Sequence, residues 1–303
     1  MLLIEQLLNG LQFGIMLFLI SAGLTLVFGI MGLINLAHGS FYMIGAYAAA
    51  VGTAWTGSFL LGLLIALPVT ALVGLVVELV VMRRLYARDH LDQVLATFGL
   101  ILFFNEAMRL IFGRQPLFQT VPPFLDGSVE LLPGLPYPLY RLAIIAVGLA
   151  VAAGMWLLIT RTRLGMKIRA GAADREMAGA LGADITLLYA LVFALGAGLA
   201  ALAGAMAGPL LSVESGMGEG MLILAFVVIV IGGIGSVRGA LAASLLVGLV
   251  DTLGRAFLPD ILRLVLSDAH ADGAGASLSS MSIYILMAVV LAIRPKGLFP
   301  AHG

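Results

Sequence analysis

Five ionisable residues stand inside or at the rims of long apolar runs: Glu78, Glu106, Arg109, Asp251 and Arg255. A charge at the centre of a bilayer costs roughly 2.5–3.5 kcal/mol on insertion scales, so each is a functional candidate by default. Their spacing also offers a plainer reading. Glu106 and Arg109 are i,i+3, and Asp251 and Arg255 are i,i+4, so each pair can neutralise itself on one helix face. Glu78 lies about one turn from Arg83 and can snorkel to the interface. These positions near the ends of the runs fit interfacial anchoring, with substrate or gating roles as the alternative. A proton- or sodium-coupled carrier wants a midplane carboxylate, and none stands there clearly.

A second set is uncharged. Asn35, His38 and Ser40 interrupt the apolar sequence between residues 29 and 41. One reading is a cytoplasmic turn, with Asn and Gly at special backbone angles and Ser40 or His38 near a helix start. The other is a pore-lining or gating turn. The Gly-rich string Gly232-Gly233-Ile234-Gly235-Ser236-Val237-Arg238-Gly239 lacks the Lys-Ser/Thr of a phosphate loop and sits in apolar context. It reads as a helix break or a close helix contact. The chain's two Lys, Lys167 and Lys296, precede Ile168 and Gly297, so no phosphate-binding loop is written here. The spans hold no Ser/His, HExxH or paired-Asp constellation, which disfavours an intramembrane enzyme. Four scattered His and no Cys offer no metal-ligand spacing.

The stretch 161–185 carries Arg161, Arg163, Lys167, Arg169 and Arg175 around an Ala-rich middle. The spacing predicts a short amphipathic helix with an i,i+4 apolar pair, Met177 and Leu181, suited to a groove of another protein. An ordinary basic topology loop is the alternative. Small residues recur every four positions at Gly196, Ala200, Gly204 and Gly208, and again at Gly10 and Gly14. Such ridges let helix backbones approach closely in lipid.

The elements that must position these residues follow from composition. Of 303 residues, 62% are apolar and 11% charged, with a mean hydropathy of +1.14. A soluble domain is typically about 45–50% apolar and about 25% charged. Soluble enzymes, nucleic-acid binders and disordered chains are therefore excluded, and the balanced charge points to no nucleic-acid partner. Long apolar runs also exclude a membrane β-barrel, whose strands alternate. The expectation is an all-α polytopic membrane protein of about 8–10 transmembrane helices, forming a single transmembrane domain over 1–303. Candidate spans are 7–33, 38–56, 59–82, 94–112, 140–160, 186–208, 220–237, 239–257 and 281–293. The pair 220–257 can be two crossings or one crossing plus a re-entrant piece. The first run is too long, and lacks the basic lead, for a cleaved signal. Arg-rich 83–93 and 161–185, and the tail with Arg294 and Lys296, should be cytoplasmic. The Pro-rich loop 113–139 and the acidic loop 258–280 should lie outside, as should the N-terminus. The C-terminus then lies inside, which nine crossings satisfy.

Residues 23–47, Gly-Leu-Thr-Leu-Val-Phe-Gly-Ile-Met-Gly-Leu-Ile-Asn-Leu-Ala-His-Gly-Ser-Phe-Tyr-Met-Ile-Gly-Ala-Tyr, resemble the branched-chain amino acid ABC transporter permeases of the LivH type. Ala96-Thr97-Phe98-Gly99-Leu100, the 161–182 stretch and 232–239 extend the resemblance in order along nearly the whole chain. In the permease docking motif, Gly171-Ala172-Ala173-Asp174 stands where a stronger version reads Glu-Ala-Ala. The resemblance implies one permease of a bacterial inner-membrane importer. A second, LivM-like permease would complete the pore, two cytoplasmic ATPases would supply ATP and Mg, and a periplasmic binding protein would deliver cargo. The chain itself would carry no cofactor. Asn35, His38, Ser40, Thr97 and Asn105 would line the route. Gly171, Ala172, Ala173, Asp174, Arg175, Glu176, Met177, Leu181 and Gly182 would couple to the ATPase. Urea, short amides or small carboxylates are alternative cargoes for the same mechanism, and a stand-alone secondary carrier is the alternative class.

Overall fold

The computed structural model describes residues 1–299. It is an α-helical bundle with one small hairpin. In chain order the helices are α1 (Leu2–Met31), α2 (His38–Thr56), α3 (Phe59–Val77), α4 (Arg83–Leu85) and α5 (His90–Phe112). Strands β1 (Ser128–Leu132) and β2 (Leu135–Pro138) follow. Then come α6 (Leu139–Arg161), α7 (Arg163–Ala173), α8 (Arg175–Ala180), α9 (Ile185–Ala207), α10 (Met217–Gly232), α11 (Val237–Leu262) and α12 (Asp268–Ile293). Seven helical stretches among the described residues are long and apolar enough to cross a membrane; α10, at 16 residues, is shorter. A residue in lipid must satisfy its own backbone groups, and these uninterrupted apolar runs do so as helices.

α1 is the axis of the bundle. It is buried along most of its length and packs against α9, α10, α11 and α6. Small residues make this possible. A methyl on Gly10 would come within 3.0 Å of Leu249, and one on Gly14 within 2.9 Å of Leu245, so α1 and α11 meet backbone to backbone. On α9, Gly196 faces Gly23, and a methyl on Gly204 would overlap the Tyr42 carbonyl of α2. The periodic small residues are thus contact lines between helices.

The bundle has two distinct ends. At one, Gly29 of α1 meets Gly235, Gly233 meets Phe299 and Gly171 of α7 meets Leu188. The Arg-rich segments 161–175 and 294–296 gather here, and we call it the basic end. At the other, Leu117 pairs with Val213, Tyr137 donates to Asn9 at 3.2 Å, and Tyr140 donates to the Met206 carbonyl at 2.8 Å.

Three local readings need correction, and one that was open is resolved. The 258–280 stretch is mostly helix: α11 runs through Pro259 to Leu262 and α12 begins at Asp268. Arg263 ties the two by ion pairs to Asp260 (2.9 Å) and Asp272 (2.8 Å). The apolar runs end before these helices do, and both helices continue through polar turns. Of the two readings open for 220–257, the structure has the two helices broken at the Gly-rich string, over Gly233–Ser236, with Gly232 seated against Gly239. Glu78 does not snorkel; it is fully buried. The helix loosens into a π turn over Glu78–Met82, which places Glu78 under Arg83 five residues on. There it accepts from Arg83 at 3.3 Å and from the Tyr86 hydroxyl at 2.7 Å. The third correction concerns the α1–α2 junction.

Candidate functional site

Residues 29–40 are not a surface turn. α1 ends with Gly32 in a left-handed conformation (φ 63°), and the chain then reverses without regular structure through 32–37. Leu33, Asn35, Ala37, His38 and Ser40 are all buried. His38 Nε2 lies 3.2 Å from the carbonyl of Ile20 in α1. Ile20 is about 16 Å back along the helix from Met31 at 1.5 Å per residue. The 32–37 segment can reach about 20 Å when extended, so it covers this distance. It therefore re-enters the bundle, and α2 starts in the interior. Non-helical backbone at membrane depth is tolerated only where protein covers it or it lines a cavity. Here protein covers most of it, Asn35 included, although the Oδ1 and Nδ2 of Asn35 are both buried without a partner.

The first turn of α2 meets the first turn of α10, with Gly39 and Gly218 too close for a side chain on either. The first turns of both helices border the same small recess. Ser40, Asn105 and Glu219 line it together with Leu36, Met43, Ile101 and Leu222. Asn105 Nδ2 donates to Glu219 at 2.7 Å. One turn along α5, Arg109 donates to Ser215 at 2.9 Å and pairs with Glu106 at 2.7 Å. Asn105, Glu106, Arg109 and Ser215 thus form an exposed polar strip. Elsewhere α5 exposes Leu95, Phe98, Leu102 and Phe103, and it packs within this chain chiefly on α2. Tyr47 stacks on Phe112 with ring centroids 4.8 Å apart, fixing the strip beside α2.

The five residues expected on the route are thus only partly brought together. Ser40 and Asn105 share the recess, and His38 and Asn35 lie behind it in the buried segment. Thr97 faces inward, its hydroxyl donating to the Gln93 carbonyl at 2.8 Å. Glu219 and Ser215 were missed. The available signal was a carboxylate just after Gly216-Met217-Gly218 at the head of an apolar run. Beginning that run at 220 left it outside.

At the basic end, 161–185 forms two helices where one was expected. Thr162 caps α7, accepting from Gly165 N at 3.0 Å. Asp174 ends α7 and caps α8, accepting from Glu176 N (3.0 Å) and Met177 N (2.9 Å). Its carboxylate is therefore spent on the fold. Gly171 is buried, its Cα side facing Leu188 and Ile30, and Ala172 packs on the core. These two seat the element on the end of α1. Ala173, Arg175, Glu176, Met177, Leu181 and Gly182 remain exposed, Met177 at 58% and Leu181 at 81%. A hollow of about 360 Å³ lies between Gly29–Gly32 and Gly171–Glu176. Gly182 has φ 90° and open space around it. A side chain there would strain the backbone rather than overpack. Among the described residues no group of three or more His, Asp or Glu is placed to hold a metal ion.

Residues 6–293 match the family described as "Branched-chain amino acid transport system / permease component". The chain belongs to this family. It is 31% identical to the high-affinity branched-chain amino acid transport system permease protein BraD of Pseudomonas aeruginosa, over 97% of this chain and 95% of that one. Identity to the LivH permease protein of Escherichia coli is 28%, over 97% and 94% of the two chains. A probable LivH of Methanocaldococcus jannaschii is 26% identical over 93% and 88%. Among solved structures, a chain of PsaBC from Streptococcus pneumoniae in complex with Fab covers 95% of this chain and is covered over 91% of its own, with a TM-score of 0.49 and 13% identity. The chain is thus a multi-pass membrane permease component.

Proposed function

We propose that this permease carries branched-chain amino acids inward as part of an ATP-driven importer. A periplasmic binding protein delivers cargo, two cytoplasmic ATPases supply the energy, and a second LivM-like permease completes the route. The basic end faces the cytoplasm, because Lys and Arg concentrate on that side of membrane proteins. The N-terminus is then periplasmic and the C-terminus cytoplasmic, in a bacterial inner membrane. The ATPases hold ATP and Mg; this chain supplies the contact that transmits their motion.

The observation that carries this reading is a continuous line of contact. α7 and α8 expose Met177 and Leu181 at the basic end, Gly171 seats them on α1, and α1 leads through Gly32 to the re-entrant segment and the α2 start. A push on α7 and α8 therefore reaches the recess at Ser40, Asn105 and Glu219. There, Glu219 and Asn105 can accept an α-ammonium, and Arg109 can donate to an α-carboxylate. The strip is exposed, so such contacts are weak, as passage requires. Uptake of labelled leucine, valine and urea by a strain deleted for its own systems tests the cargo. The reading expects leucine and valine uptake; uptake of urea alone would favour the amide alternative.

A further inference from the structure

Between α6 and α11, with α1 as its floor, runs a groove of about 980 Å³ that is separate from the recess and adjoins the coupling hollow at Gly29, Ile30, Ala172 and Ala173. Along α1 it extends from Phe18 to Ile30, about 18 Å at 1.5 Å per residue. That is somewhat more than half of a hydrocarbon core about 30 Å thick. Phe18, Leu26, Ala153 and Leu241 line its depth. Trp156 stands further along, where an amphipathic ring suits the membrane interface. At the basic end two cations close it, Arg169 of α7 and Arg238 at the start of α11, both exposed, and none of its lining residues is acidic. Arg169 is held there by donation to the Ile159 carbonyl, the end of the α6 wall.

We propose that this groove binds an anionic glycerophospholipid from the leaflet at the basic end. An acyl chain lies along α1 against Phe18 and Leu241, and the phosphate sits between Arg169 and Arg238. Apolar depth of one leaflet, an interfacial Trp and two unopposed guanidinium groups at headgroup level together define this ligand. A small amino acid zwitterion would fill only a fraction of the length and would leave its ammonium beside two cations. A water-soluble subunit does not reach between α6 and α11 at bilayer depth. Because Ala172 and Ala173 of α7 also line the groove's end, the bound lipid underpins α7 from the membrane side.

The test uses the full chain, purified in detergent with the subunits that accompany it, stripped of lipid and titrated by native mass spectrometry. The probes are phosphatidylglycerol, phosphatidylcholine of the same acyl chains, and inorganic phosphate. Phosphatidylglycerol should bind more tightly than phosphatidylcholine, and phosphate should not compete at matched concentration. Each Arg near an anionic headgroup contributes enough that Arg169→Gln with Arg238→Gln should weaken phosphatidylglycerol binding about thirtyfold. The double Lys variant, which keeps the charge, should retain most of it. Ala153→Trp, which fills the depth and leaves both arginines, should weaken both lipids. Equal affinity for the two lipids, retention by the double Gln variant, unaltered binding in Ala153→Trp, or equal competition by phosphate would each overturn the proposal. The readout is lipid binding, so it stands or fails apart from the transport reading.

Discussion

Asn35 is completely buried, yet neither polar atom of its side chain has a partner. Leaving a buried polar group unsatisfied costs about 1–3 kcal/mol, whereas an apolar group of similar shape is nearly neutral or stabilising there. Asn35→Leu should therefore leave the melting temperature of the purified complex unchanged or raised. If Asn35 serves the moving segment, the same variant should lose uptake about tenfold, the size expected for one hydrogen bond made only during passage. Normal uptake would reduce Asn35 to a turn residue. Two glycines give a contrast. Gly204 lies against the Tyr42 backbone, while Gly99 has open space. Gly204→Val should destabilise the bundle by about 1–3 kcal/mol or more through overpacking. Gly99→Val should be tolerated, and thermal unfolding in detergent separates the two. The sequence marked Asn35, His38 and Ser40 by type, but it could not show their burial. That depends on Ile20, a distant carbonyl whose availability no local spacing reveals.

At the level of elements, α7 and α8 carry the coupling claim. Met177 and Leu181 are exposed apolar side chains at the basic end, and burying each against a partner is worth roughly 1.5–3 kcal/mol. Ala173→Arg, or Met177→Glu with Leu181→Glu, should give an inserted, thermally normal permease that no longer co-purifies with its ATPase. Pull-down at wild-type stoichiometry would move the coupling element elsewhere, with 83–93 the next candidate. Apolar run length and Gly breaks made most helices legible. They did not reveal the re-entrant 32–37 segment, because Leu33, Ile34, Leu36 and Ala37 read equally well as the end of a span. Nor did they reveal the π turn at Glu78, which hydropathy does not encode, or the single Asp174 that splits the basic loop into two helices.

For the whole molecule, the proposed orientation rests on the distribution of Arg and Lys. The Cys-free chain allows a direct check: a lone Cys at position 174 should resist a membrane-impermeant thiol reagent applied to intact cells, and one at position 130 should react. Reaction at 174 from outside would invert the topology. The central claim is that this permease moves branched-chain amino acids only when an ATPase drives it through α7 and α8. Labelled leucine uptake into proteoliposomes, holding this chain with its second permease and binding protein, tests it most directly when measured with and without the ATPase and ATP. Accumulation only when ATPase and ATP are both present is the predicted result. Leucine uptake that persists with the ATPase omitted would contradict it and make the chain a carrier in its own right.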